Sequence, residues 1–153
     1  MRQLPLAPAI RTLNRLENLG ETLRVALNRI ASVAPEWLVQ IAEPEWYDRY
    51  GKRIEESRLP KGEDKRRDYA EIIGVDGMKL LEEAYSNATP EMIRQAPEVE
   101  TLRQTWVRQY YMKEGQLRLR EAKDLPPASL RSELPLLLMI RKLIMQPKGM
   151  SIG

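Results

Sequence analysis

The residues with the clearest capacity for chemistry are the cations of residues 101–123. Arg103, Arg108, Lys113, Arg118, Arg120 and Lys123 stand there against only two acids, Glu114 and Glu121. Arginine forks match phosphate oxygens in pairs, and Trp106, lying between Arg103 and Arg108, offers a face on which a base can stack. This pattern makes Arg103, Arg108, Lys113, Arg118 and Arg120 candidate DNA contacts. The same residues admit a second reading, in which Trp106 and Tyr110 belong to the core and the arginines form a solvated face. Spacing alone does not decide between the two.

Other clusters carry less. The acid pairs Glu55-Glu56, Glu63-Asp64 and Glu82-Glu83 are of the oxygen-ligand type that magnesium prefers. Adjacent acids on a helix diverge, however, and these are interleaved with lysine and arginine, so a solvated surface accounts for them. Two glycines, Gly74 and Gly77, precede a helical pattern but lack the lysine and hydroxyl residue of a phosphate loop, which leaves a helix–helix turn. The chain has no histidine and no cysteine. A serine–histidine triad, a histidine-ligated zinc and thiolate chemistry are therefore excluded, and no catalytic or metal-binding set assembles.

A chain of 153 residues suits one ordinary domain, and the charged share of 31% with 42% apolar residues is that of a globular chain. The net charge of +3 leans toward an anionic partner. The longest apolar run, residues 134–140, is too short to span a bilayer and lies at the wrong end to be a signal peptide, so a cytoplasmic location without membrane contact is expected.

Apolar spacing of three and four at Leu13, Leu16, Leu23, Leu27, Ile30 and Val33 predicts an amphipathic helix over residues 9–33, with Gly20 a point of bending. The dipeptide Pro-Glu then recurs at residues 35, 44, 90 and 97. Proline suits the first helical position, and glutamate in the first turn complements the helix dipole, so each marks a helix start. The first two are followed by Trp37 and Trp46, which, with Trp106, are expected as core anchors. The helix from Pro44 should run to about Ser57, burying Trp46, Tyr50 and Ile54 and leaving Arg49, Lys52, Arg53 and Glu56 toward water.

A helix over residues 64–73, with Tyr69, Ile72 and Ile73 inward, should end at Gly74. Asp76 would then cap a second helix over residues 77–85, buried through Met78, Leu81 and Tyr85. After a short helix over 90–95, the one from Pro97 should continue to Met112 and stop at Gly115. Alternation at Leu117 and Leu119 predicts a short strand over residues 116–121, and an apolar helix is expected over 132–145. The fold class is mainly α, an irregular helical bundle with one short strand or hairpin near 116–121.

Several blocks in a fixed order carry a family resemblance. Ala9-Ile10-Arg11-Thr12-Leu13-Asn14-Arg15-Leu16-Glu17, Gly20-Glu21-Thr22-Leu23-Arg24 and Ala34-Pro35-Glu36-Trp37-Leu38 come first. Pro44-Glu45-Trp46-Tyr47-Asp48-Arg49-Tyr50, with Arg58-Leu59-Pro60-Lys61, follows. Ile73-Gly74-Val75-Asp76-Gly77, Glu100-Thr101-Leu102-Arg103-Gln104-Thr105-Trp106-Val107 and Asp124-Leu125-Pro126-Pro127-Ala128 complete the set. Together they resemble an internal segment of bacterial insertion-sequence transposases of the Asp-Asp-Glu class.

In that family the segment is a mostly helical insertion, lying between the strand with the first catalytic aspartate and the ribonuclease-H-like remainder. The resemblance thus implies a fragment over residues 1–130 whose parent performs DNA transposition with Mg2+, while no metal-binding acid can be carried onto this chain. The implied partners are DNA of the element ends or full-length transposase, with no cofactor and no small-molecule substrate. The alternative is a stand-alone helical DNA-binding or protein-interaction module.

Residues 131–153 depart from the family. Synonymous codons for residues 135–153 exist that, read from the third nucleotide, encode a peptide containing Tyr-Asp-Pro-Glu-Ala, which resembles the family's continuation. A shifted reading frame from about residues 130–134 is the expectation.

Overall fold

The computed structural model describes the backbone of residues 8–125 and the side chains of residues 12–125. The expected apolar helix over 132–145 and the expected boundary at residues 130–131 lie outside the described residues. Six α-helices and one antiparallel hairpin make up the described chain, so the mainly α expectation holds.

The stripe read from the sequence becomes α1 (Pro8–Val33), which runs through Gly20 without a break. Leu16, Leu19, Leu23, Ala26 and Ile30 on it are buried, and α1 touches every other helix. Gly20 is there for space: a Cβ on it would lie 2.9 Å from Ile54 Cγ1.

Each Pro-Glu pair opens a helix as expected, giving α2 (Pro35–Ile41), α3 (Pro44–Tyr50), α5 (Glu91–Arg94) and α6 (Pro97–Gln109). The ends differ from expectation. α3 stops at Tyr50, seven residues before Ser57. The Arg58 guanidinium donates to the carbonyl oxygens of Asp48, Lys52 and Arg53, while the Ile54 N–H donates to Glu21 Oε2 at 2.9 Å. These bonds satisfy the loop backbone that a longer helix would have satisfied internally. Ile54 and Leu59 are still buried, from an extended segment and a 3₁₀ turn at Glu56–Arg58.

The two helices expected around Gly74 are one, α4 (Glu63–Ala84). Gly74 and Gly77 do not end or restart it. Their missing side chains make room for the rings of Tyr110 and Trp106, which a Cβ at either position would overlap. Two helical glycines cost about 1 kcal/mol each, and burying two large aromatics outweighs that. Asp76 is therefore mid-helix and not a cap. Ile73, Met78 and Leu81 face inward as expected, Tyr69 and Tyr85 are half-buried, and Ile72 is exposed.

α6 ends at Gln109, short of Met112, because Tyr110 begins a strand. β1 (Tyr110–Lys113) pairs with β2 (Gln116–Leu119) in the register Tyr110↔Leu119 to Lys113↔Gln116, so the lone strand has its partner. Glu114 and Gly115 both take positive φ, 52° and 80°, the conformation of a two-residue hairpin turn whose twist matches the strands. Gly115 thus turns a hairpin instead of stopping a helix. No helix among the described residues is long and apolar enough to cross a membrane.

Candidate nucleic-acid interface

The tryptophans frame the site from inside. Trp106 is fully buried and its indole N–H donates to the Gly74 carbonyl oxygen at 2.9 Å. Tyr110 stacks at 5.1 Å from it, tilted by 40°, and its hydroxyl donates to the Ala70 carbonyl oxygen at 2.7 Å. Burial raises the Tyr110 hydroxyl far above its ordinary range. Both rings are core, so Trp106 offers no face for a nucleic-acid base. Trp46 is buried too, whereas Trp37 is only partly so, its N–H reaching Thr89 Oγ1 at 3.3 Å.

A second buried feature joins α3 to α4. Asp76 Oδ2 accepts from the Tyr50 hydroxyl at 2.6 Å and from Arg49 Nη1 at 2.7 Å. Burial pushes the Asp76 carboxyl above its ordinary value, and the two donors offset only part of that. Burial alone would lower Arg49, but the Asp76 charge, together with its hydrogen bond and the neighbouring tyrosines, leaves the guanidinium above its ordinary value. The Trp46 N–H, buried beside this group, completes no hydrogen bond, although it helps to hold the carboxyl down. Arg49, expected toward water, instead closes this lock.

The five candidate DNA contacts do not form one continuous face. Arg103, in the middle of α6, is ion-paired with Glu100, which holds the guanidinium charged and depresses the Glu100 carboxyl. Arg108, in the last turn of α6, is half-buried and close enough to Arg15 to repel it. Lys113 is exposed at the end of β1. Arg118 is exposed on β2 and reaches Glu71 at 3.3 Å and Gln116 at 2.6 Å. Arg120 lies with its guanidinium carbon 5.7 Å from the centre of the Tyr111 ring, in cation–π range. Arg118 borders an open groove with Arg49, Glu71, Ile72 and Val75, apart from the Arg103–Glu100 pair on α6.

The cations that do converge come from elsewhere. Arg15 of α1, Arg66 and Arg67 of α4, and Lys123 of the turn Ala122–Asp124 line one cavity, over an apolar floor that includes Leu16 and Leu119. None of the five sequence candidates lines it. Arg15 and Arg67 are 52 residues apart in sequence, and no local motif joins them; packing of α1 on α4 does. Glu63, Asp64 and Glu121 share the wall, with Glu121 held by Arg67 at 2.9 Å. Among the described residues no group of three or more acid, histidine or cysteine side chains is arranged to hold a metal ion.

Comparisons of this chain with known family models, with curated proteins and with solved structures find no match.

Proposed function

We propose that this chain is the helical segment of a bacterial insertion-sequence transposase of the Asp-Asp-Glu class, a cytoplasmic fragment that does not perform strand transfer alone. The observation that carries the reading is the way the resembling blocks meet. Tyr50 and Arg49 of one block donate to Asp76 of a second, and Trp106 of a third donates to Gly74 of that second block. Three of the resembling stretches are thus hydrogen-bonded to one another in this fold, as expected of a segment that served as a structural unit in its parent. Its partners would be DNA of the element ends or full-length transposase, and Mg2+ belongs to the parent.

The second reading, a stand-alone DNA-binding or protein-interaction module, draws on the convergence of Arg15, Arg66, Arg67 and Lys123. The DNA of the gene and its flanks separates the two. The transposase reading expects an upstream frame encoding the aspartate-bearing strand and, in the codons of residues 135–153 read in a shifted frame that continues downstream, the peptide Tyr-Asp-Pro-Glu-Ala. DNA lacking both overturns it, and magnesium-dependent strand transfer by the purified chain would overturn the claim that it is inactive alone.

A further inference from the structure

The cavity between α1, α4 and the turn Ala122–Asp124 contains an unmet electrostatic demand. Arg15 is held from one side, its Nε donating to Gln109 Oε1 at 2.7 Å, while its Nη2 is buried with no hydrogen-bond partner. A guanidinium keeps its proton in proteins, so this nitrogen is a charged donor without an acceptor. Buried donors in native folds are satisfied by protein, water or a bound ion. Burial depresses Arg15 below its ordinary value, and the nearby Arg67 and Arg108 charges add to the depression. Of the three acids in the wall, Glu121 answers Arg67, and neither it nor Glu63 nor Asp64 bonds to Arg15 Nη2, so the four cations still outnumber the acids. The apolar floor from Leu16, Leu19, Ala70 and Leu119 keeps the local dielectric low, which strengthens any charge interaction at the mouth.

We propose that this cavity is a phosphate-binding site, with Arg15, Arg67 and Lys123 as its ligands. A phosphate presents several acceptor oxygens in different directions and so can bridge donors that come from three separate elements. A single carboxylate, with two coplanar oxygens, suits one arginine fork, as Glu121 already does with Arg67. The phosphate can be a phosphodiester of the DNA backbone or belong to a small phosphate-bearing molecule. The site does not depend on the transposase reading, because its recognition chemistry is the same for either source.

The test is calorimetric titration of the full chain at low salt with inorganic phosphate and, separately, with a short DNA duplex, repeated on Arg15→Gln, Arg67→Gln and Lys123→Gln. Saturable binding that weakens about tenfold in Arg15→Gln, and a DNA salt slope reduced by about one in Lys123→Gln, are expected. Losses with the duplex assign the phosphodiester, and losses with inorganic phosphate alone assign the small molecule; both outcomes support the site. Should Arg15→Gln fail to fold by circular dichroism, the surface variants Arg67→Gln and Lys123→Gln carry the test. No saturable binding of either ligand, or binding unchanged in the folded variants, overturns the proposal.

Discussion

Two glycines of this chain leave room for different neighbours, and the cost of filling each is set by what faces it. At Gly74 an added methyl meets the Tyr110 ring, which is pinned by its hydrogen bond to Ala70 and by contact with Trp106. Overpacking of this kind costs about 1–3 kcal/mol and exceeds the gain of about 1 kcal/mol in helix propensity. At Gly20 the methyl meets the buried Ile54 side chain, with Cγ1, Cδ1 and Cγ2 at 2.9, 3.3 and 3.4 Å, a looser contact than the ring at Gly74. Gly74→Ala is therefore expected to lower the urea midpoint clearly, and Gly20→Ala to lower it by less; equal midpoints for both would contradict the ring placement. Asp76 allows a pH test. Its folded pKa lies above the ordinary 3.8, so the folded state binds the proton more tightly than the unfolded one, and this residue adds stability as pH falls from the raised value toward 3.8. Asp76→Asn removes that dependence. The stability of the parent relative to Asp76→Asn should rise as pH falls through that window, and a difference that instead shrinks would show a carboxyl stabilised in its charged form.

Among the elements, the Pro-Glu starts and the end of α1 were legible in the sequence, whereas the ends of α3 and α6 and the continuity of α4 were not. A helix start is written locally, by proline and glutamate within one turn, and α2, α3, α5 and α6 follow that signal. The features that were not legible are decided by partners distant in sequence. α3 yields at Tyr50 to Arg58 and Glu21, α4 passes through two glycines because Trp106 and Tyr110 pack there, and α6 yields at Tyr110 to hairpin pairing. The candidate site was missed for the same reason, since Arg15 and Arg67 meet only once α1 and α4 have packed. The hairpin offers the element-scale prediction. Glu114 holds a left-handed φ of 52°, which most residues with a Cβ adopt at a cost and asparagine, whose short amide can hydrogen-bond locally, adopts readily. Glu114→Asn should stabilise the protein by about 0.5–1 kcal/mol, and Gly115→Ala, at φ 80°, should destabilise it by about 1 kcal/mol. Thermal unfolding of both variants checks the turn type, and a loss with asparagine at 114 would rule it out.

At the scale of the whole molecule, α1 is the common wall on which the remaining helices rest. The Trp46 side of the bundle and the Trp106 side share that wall, and they are also joined through α4, by Asp76 on one hand and Gly74 on the other. A fold connected in this way has no seam along which one half can open while the other keeps its contacts, so loss on one side must propagate. Trp46 is buried, and replacing it with alanine should cost about 3–5 kcal/mol, a large part of the 5–15 kcal/mol typical of a domain. Trp37, partly exposed on α2, should cost less. In the double variant Trp37→Phe/Trp46→Ala, where Trp106 is the one tryptophan left, its fluorescence and the helical circular dichroism signal should shift together to lower denaturant with one transition. If Trp106 fluorescence kept the parent midpoint while part of the helical signal melted early, α2 and α3 would be a separately folding unit, and α1 would not be the wall that unites the bundle.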